Sequence, residues 1–254
     1  MFADAWSIWG LIGIVSGCVL GLAGAGGGII GIPMLIYLAG YSVKAASGYV
    51  LLVISVGAAL TWYPQRKNTH YLVTITLLIF AFIGAHFTAP LKAMAPSWLV
   101  ILLLNAACAF SLYSLWIMKV PTPIESEKNS PFFAISRSSL GGVFTGALST
   151  MTGLGGGIIM VPWLTAINRL KLAQAVASSL LTIAISAPYS AYVQGYIDLD
   201  WKNFAALVLG SCVAAFVIKA STVTFSPRAM NWLRKGVLTS VIIISMITTI
   251  IKLF

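Results

Sequence analysis

Long apolar runs separated by short polar joints organise this chain. The runs cover approximately residues 6–25, 29–39, 46–62, 71–89 and 98–118, then 138–154, 158–167, 176–194, 204–222 and 231–254. Most approach the roughly 20 residues that a helix needs to cross a bilayer, while the second run of each set is about half as long. Residues 119–137 stand apart, with Pro121, Pro123, Glu125, Glu127, Lys128, Asn129 and Pro131, and they read as a solvated loop. The order long, short, long, long, long occurs on both sides of that loop. The pattern predicts a first transmembrane repeat over 1–118, a cytoplasmic linker over 119–137 and a second transmembrane repeat over 138–254.

The residues themselves repeat. Gly26-Gly27-Gly28-Ile29-Ile30-Gly31-Ile32-Pro33-Met34-Leu35 matches Gly155-Gly156-Gly157-Ile158-Ile159-Met160-Val161-Pro162-Trp163-Leu164. Without a gap, Gly24 falls on Gly153 and Gly17 on Gly146; after a slip of two residues, Ala46-Ser47 falls on Ala177-Ser178 and Ser55 on Ser186.

Composition turns the pattern into a class. Of 254 residues, 59% are hydrophobic and 8% charged, and the mean hydropathy is +0.99, which leaves too little polarity to cover a soluble surface. The formal charge of +10 would suggest nucleic acid in a soluble protein. Here the basic residues sit between apolar runs and read as topology determinants, so no nucleic-acid partner is implied. Two halves with five segments each must lie in opposite orientations, as in the inverted repeats of many secondary transporters. With the amino terminus outside, the inner loops hold Arg66, Lys67, Lys119, Lys128, Arg137, Arg169, Lys171, Lys219, Arg228, Arg234 and Lys235. The outer side holds Lys44, Lys92, Lys202 and Lys252, in keeping with the positive-inside rule. The start, Met1-Phe2-Ala3-Asp4, lacks the basic region of a cleaved signal, so the first run reads as a permanent span. The expected fold is an all-α polytopic membrane protein of two inverted repeats, about five segments each, with broken or short helices at the glycine-rich motifs. Without organelle signals, the expected location is a bacterial inner membrane. Cys18, Cys108 and Cys212 are scattered in apolar runs and signal neither a disulfide framework nor a metal site.

The short runs carry the candidate chemistry. Each begins at a triple glycine, which costs a helix on the order of 2–3 kcal/mol against alanine and favours a break there. Such a break in a membrane must be buried in protein or line a polar cavity. A glycine run opening a helix offers unpaired N–H groups and the positive end of the dipole, which suits an anion. The predicted substrate-binding residues are Gly24, Ala25, Gly26, Gly27 and Gly28 in the first half and Thr150, Thr152, Gly153, Gly155, Gly156 and Gly157 in the second. Ser47, Ser178 and Ser179 from the following segments complete the expected lining, between two motif tips that meet near the midplane. Pro33 and Pro162 lack an N–H and serve as structural kinks or hinges. The bland reading of Gly13, Gly17, Gly21, Gly142 and Gly146 is close helix packing, and that of the serines is bonding to their own preceding turn. Trp62, Trp98, Trp201 and Trp232 read as interfacial anchors. Asp4, Glu125, Glu127, Asp198 and Asp200 all fall in loops or at segment ends, so no carboxylate is set to hold a cation within the spans. His86 is the intramembrane candidate for proton coupling.

At these motifs the chain resembles the TauE/SafE family, membrane proteins associated with export of sulfite, sulfoacetate and related compounds. The resemblance rests on Gly24-Ala25-Gly26-Gly27-Gly28 with Pro33, on Gly153-Leu154-Gly155-Gly156-Gly157 with Pro162, and on Ala177-Ser178-Ser179-Leu180. It implies a transporter of a small anion; the expected reading is a secondary transporter acting as an exporter, with no cofactor and a possible homodimer. The first half departs from the pattern, with Gly48-Tyr49 where the second has Ser179-Leu180, so a serine-lined site is asymmetric. An anion channel and a membrane scaffold whose glycines only pack helices are the alternatives. An intramembrane enzyme would need a catalytic pair or metal cluster that the spans do not supply.

Overall fold

The computed structural model describes residues 6–23, 28–116, 131–195 and 200–221, with isolated positions at 236, 239 and 243. The last predicted segment and most of the linker lie outside the described residues. Among them every regular element is helical: α1 (Trp6–Ala23), α2 (Gly28–Tyr37), α3 (Val43–Trp62), α4 (Tyr71–Met94), α5 (Ser97–Trp116), α6 (Pro131–Thr152), α7 (Gly157–Ala166), α8 (Leu172–Val193) and α9 (Trp201–Ser221). A 3-10 turn, Tyr63–Asn68, joins α3 to α4. Helix α6 opens with Pro131 in its first position, where a missing N–H costs nothing, so residues 131–137 of the predicted linker are helical.

Along α4 the sorting of side chains is the reverse of that on a soluble protein's helix. Leu72, Ile75, Ile79, Ile83, Phe87 and Leu91 recur every three or four residues and are exposed. The opposite stripe, Leu77, Ala81, Ala85, Thr88 and Lys92, is buried. Apolar outside and small or polar inside is what hydrocarbon as solvent selects, because the gain comes from close packing and interhelical hydrogen bonds. Among the described residues, Val43–Asn68, Tyr71–Met94 and Leu172–Val193 are long and apolar enough to cross a membrane. Ile8–Cys18, Trp98–Ala107 and Trp201–Ala214 are shorter apolar stretches.

The helices pair in matching ways. Helix α1 lies along α9, and α4 along α6. A Cβ added to Gly13 or Gly17 would fall on the carbonyl oxygen of Leu207 or Ser211, and one added to Gly142 or Gly146 on that of Leu77 or Ala81. Gly13 and Gly17 occupy the repeat positions of Gly142 and Gly146, so the two seams are built alike.

At the centre α3 packs against its repeat counterpart α8. Ser47 Oγ lies 3.0 Å from Gln194 Oε1, Ser55 Oγ donates to the Ala184 carbonyl at 2.7 Å, and Ser178 Oγ accepts from His70 N at 3.0 Å. Positions rise along one helix as they fall along the other, so the pair is antiparallel. The Ala184 carbonyl is available because Pro188, four residues on, has no N–H to give it. The main apolar cluster joins Trp9, Ile32, Leu35, Tyr49, Ile54, Leu104, Leu180, Ile183 and Leu207, drawing on both halves.

Candidate functional site

The second glycine-rich break is fully visible. Helix α6 ends at Thr152, whose hydroxyl donates to the Leu148 carbonyl at 2.7 Å and accepts from Leu154 N at 3.3 Å. Gly153, Gly155 and Gly156 then take φ of 77°, 74° and 69°, in the left-handed region that glycine enters without a Cβ penalty. Helix α7 starts at Gly157, and residues 153–157 are all buried. The amides of Gly157 and Ile158 lie in its first turn, where helix geometry supplies no carbonyl partner. Pro33 and Pro162 each sit inside a ten-residue helix, α2 or α7, that begins at the last glycine of its motif. Each such helix is roughly 15 Å long, about half the hydrocarbon thickness.

The two motifs touch. A Cβ on Gly28 would lie 3.1 Å from Leu154 Cα, 3.2 Å from the Gly153 carbonyl oxygen and 3.1 Å from Ile54 Cδ1. Gly24, Ala25, Gly26 and Gly27 lie outside the described residues, so the contact is seen from Gly28 alone.

Beside Gly153 is a group that the sequence pattern concealed. A Cβ on Gly153 would collide with Ser47 Cβ, and Ser47 Oγ receives a hydrogen bond from Lys92 Nζ at 2.7 Å. Lys92 also donates to Gln194 Oε1 at 2.7 Å. Lys92 is 1% exposed, Ser47 0% and Gln194 7%. Lys92, one of the four lysines assigned to the outer side, turns its ammonium into the protein. The signal was in the spacing, since the buried stripe of α4 ends on Lys92, three or four residues after Thr88 and Ala89. Gln194, at the end of the 176–194 run, continues the Ser186, Ser190 spacing of α8.

The electrostatic setting is one-signed. Asp200 is the one carboxylate side chain among the described residues, and it is engaged by Lys202 N at 3.1 Å and Asn203 Nδ2 at 2.8 Å. Both partners of Lys92 are neutral. Burying an ammonium costs several kcal/mol even after relaxation, and neutral acceptors offset only part of that. Unpartnered polar atoms cluster in the same elements: Ser149 Oγ and Thr150 Oγ1 near the end of α6, and Ser190 Oγ and Gln194 Nε2 on α8. A cleft of about 680 Å³ opens beside the lysine, lined by His86, Phe87, Ala89, Pro90, Ala93, Val193, Gln194 and Gly195.

The other predicted residues divide. Gly28, Ser47, Gly153, Gly155, Gly156 and Gly157 come together around the break, with Thr150 and Thr152 on the helix leading into it. Ser178 is elsewhere: it holds His70 N, sixteen positions of α8 from Gln194, roughly 24 Å at helical rise. Ser179 Oγ donates to the Val176 carbonyl at 2.9 Å, the bond to its own preceding turn. His86 Nδ1 is 3.4 Å from Tyr189 Oη at the cleft.

Apolar side chains facing outward, matched helix seams and a buried lysine beside a glycine break are features of a membrane protein with a polar interior site. A family model described as Sulfite exporter TauE/SafE matches residues 9–251. The chain belongs to this family. This TauE/SafE chain is also similar to proteins named as probable membrane transporters. One from Methanocaldococcus jannaschii is 26% identical over 191 residues, covering 70% of this chain and 67% of the relative. One from Xylella fastidiosa is 22% identical over 198 residues, covering 76% of each. One from Haemophilus influenzae is 24% identical over 254 residues, covering 89% and 91%. No solved structure matches the chain. By family, the TauE/SafE chain is thus a membrane transporter, and its helices are those of a membrane protein.

Proposed function

We propose that this TauE/SafE chain is a secondary transporter that exports a small anion, such as sulfite or a sulfonate, across a bacterial inner membrane. Its two halves act as inverted repeats, with the amino terminus and the Lys92 end on the outer side. The antiparallel pairing of α3 with α8 and the matched seams α1–α9 and α4–α6 support the inverted arrangement. The observation that carries the anion is the Lys92 ammonium, buried against neutral groups beside the Gly153–Gly157 break. A fixed charge in a membrane interior is costly and is retained where a ligand of opposite sign compensates it.

The first measurement is thermal unfolding of the detergent-purified chain with sulfite, thiosulfate, sulfoacetate, taurine and simple carboxylates. A ligand at 100 times its dissociation constant adds about 2.7 kcal/mol, a readable shift. Lys92→Met is expected to fold as well as the parent or better, since it removes a buried charge, and to lose the shift. If no anion shifts the parent, the anion reading falls, and the carrier would need another class of substrate.

A further inference from the structure

We infer that the anion's seat is one-sided: it is formed by Lys92 Nζ and Gln194 Nε2 at the cleft between the ends of α4 and α8, rather than by both glycine breaks equally. This rests on the anion reading above and names its donors and its route of entry.

Gln194 supplies the decisive detail. With Lys92 protonated, its ammonium 2.7 Å away faces the amide oxygen and not the NH2 group. That leaves Nε2 as a buried donor without a partner, on a residue that also lines the cleft. Lys92 uses two neutral partners for three N–H bonds, so it too retains donor capacity. Gln194 lines the cleft and Lys92 Nζ lies directly behind it, 2.7 Å from its amide oxygen. Ligand oxygens placed there would satisfy both groups, each of which costs stability when left alone.

The repeat does not duplicate this arrangement. Ser178, the counterpart of Ser47, has its hydroxyl occupied by His70 N. The position corresponding to Gln194 at the same offset is Tyr63, which is 63% exposed. The stretch corresponding to Lys92, residues 221–223, reads Ser-Thr-Val and carries no charge. The triple-glycine motif is shared by both halves in sequence, whereas the charged donor belongs to one.

The cleft gives a route. Ala93, on its lining, accepts a hydrogen bond from Lys44 Nζ at 3.0 Å through its carbonyl, which sets a second cation near the entrance. His86 and Tyr189 meet at the same cleft. An anion entering there passes Lys44 and the imidazole before it reaches Lys92. The volume is in the range of ordinary small-molecule sites, roughly 300–1,000 Å³.

Isothermal titration of the full-length chain in detergent with sulfite and with methanesulfonate tests the seat. Gln194→Leu is expected to weaken binding about ten- to hundredfold, the loss of a hydrogen bond to a charged group. Gln194→Glu, nearly isosteric, is expected to abolish it by placing a carboxylate against Lys92. Ala93→Trp fills the cleft from an exposed position that tolerates bulk, and is expected to weaken binding at least tenfold. Ser178→Ala is expected to bind within twofold of the parent. If the parent binds but the Gln194 and Ala93 variants bind equally well, the seat is elsewhere and this inference falls while the anion reading stands. A tenfold loss in Ser178→Ala would also overturn it. If the folded parent binds neither anion, the functional reading itself fails.

Discussion

Gly153, Gly155 and Gly156 show at single residues why the motif needs glycine. Each holds a positive φ, and the surroundings differ enough to separate backbone strain from crowding. Gly40, also at positive φ (72°), has nothing within 4 Å of an added Cβ, whereas a Cβ on Gly153 collides with Ser47. Gly40→Ala should therefore cost only the left-handed penalty, about 1–2 kcal/mol. Gly153→Ala should cost more and also disturb the Ser47–Lys92 contact. Thermal unfolding of the two variants checks the order, and equal losses would mean that the break yields freely. The motif glycines were legible because glycine alone suits such angles and the run occurs twice. Lys92 was not, since a lysine near the end of an apolar run looks the same whether it reaches water or turns inward.

Among the elements, packing is decided where backbones meet. Gly17 of α1 faces the Ser211 carbonyl and Gly146 of α6 faces that of Ala81, whereas Gly10 has open space. Gly17→Ala and Gly146→Ala should each destabilise by about 1–3 kcal/mol through overpacking. Gly10→Ala should be neutral or gain up to about 1 kcal/mol from helix propensity. Melting temperatures in one detergent compare all three. The α3–α8 contact offers a separate test. Ser55 donates to the carbonyl that Pro188 leaves open, so Ser55→Ala should cost about 0.5–1.5 kcal/mol by removing that half-buried hydrogen bond. Restoring a helical donor with Pro188→Ala should recover part of that loss in the double variant. The sequence disclosed the serines and the proline separately; their partnership depends on the antiparallel register of two helices far apart in the chain.

For the whole molecule, the proposed topology puts both linker-flanking ends inside and the cleft outside. A fluorescent-protein fusion after residue 128 should therefore be bright in the cytoplasm, and a periplasmic alkaline phosphatase fusion there should be inactive; the opposite result would invert the topology. An interior-negative potential favours anion exit by roughly 2.3 kcal/mol per charge per 100 mV, nearly fiftyfold for a monovalent species. Efflux from proteoliposomes should follow an imposed potential, and flux that ignored the potential but followed a pH gradient would point to proton coupling. Helical membrane character, the short helices after each triple glycine and the kinship of the halves were all written in the chain, because hydropathy, glycine runs and repeats are properties of neighbouring residues. Family membership followed from the same local motifs. Folding decided the rest. It set Gly28 against Leu154, turned Ser178 away to His70, and brought Ser47, Lys92 and Gln194 together from three helices. Such contacts depend on which faces pack and in which direction helices run, and no spacing within a single segment encodes them.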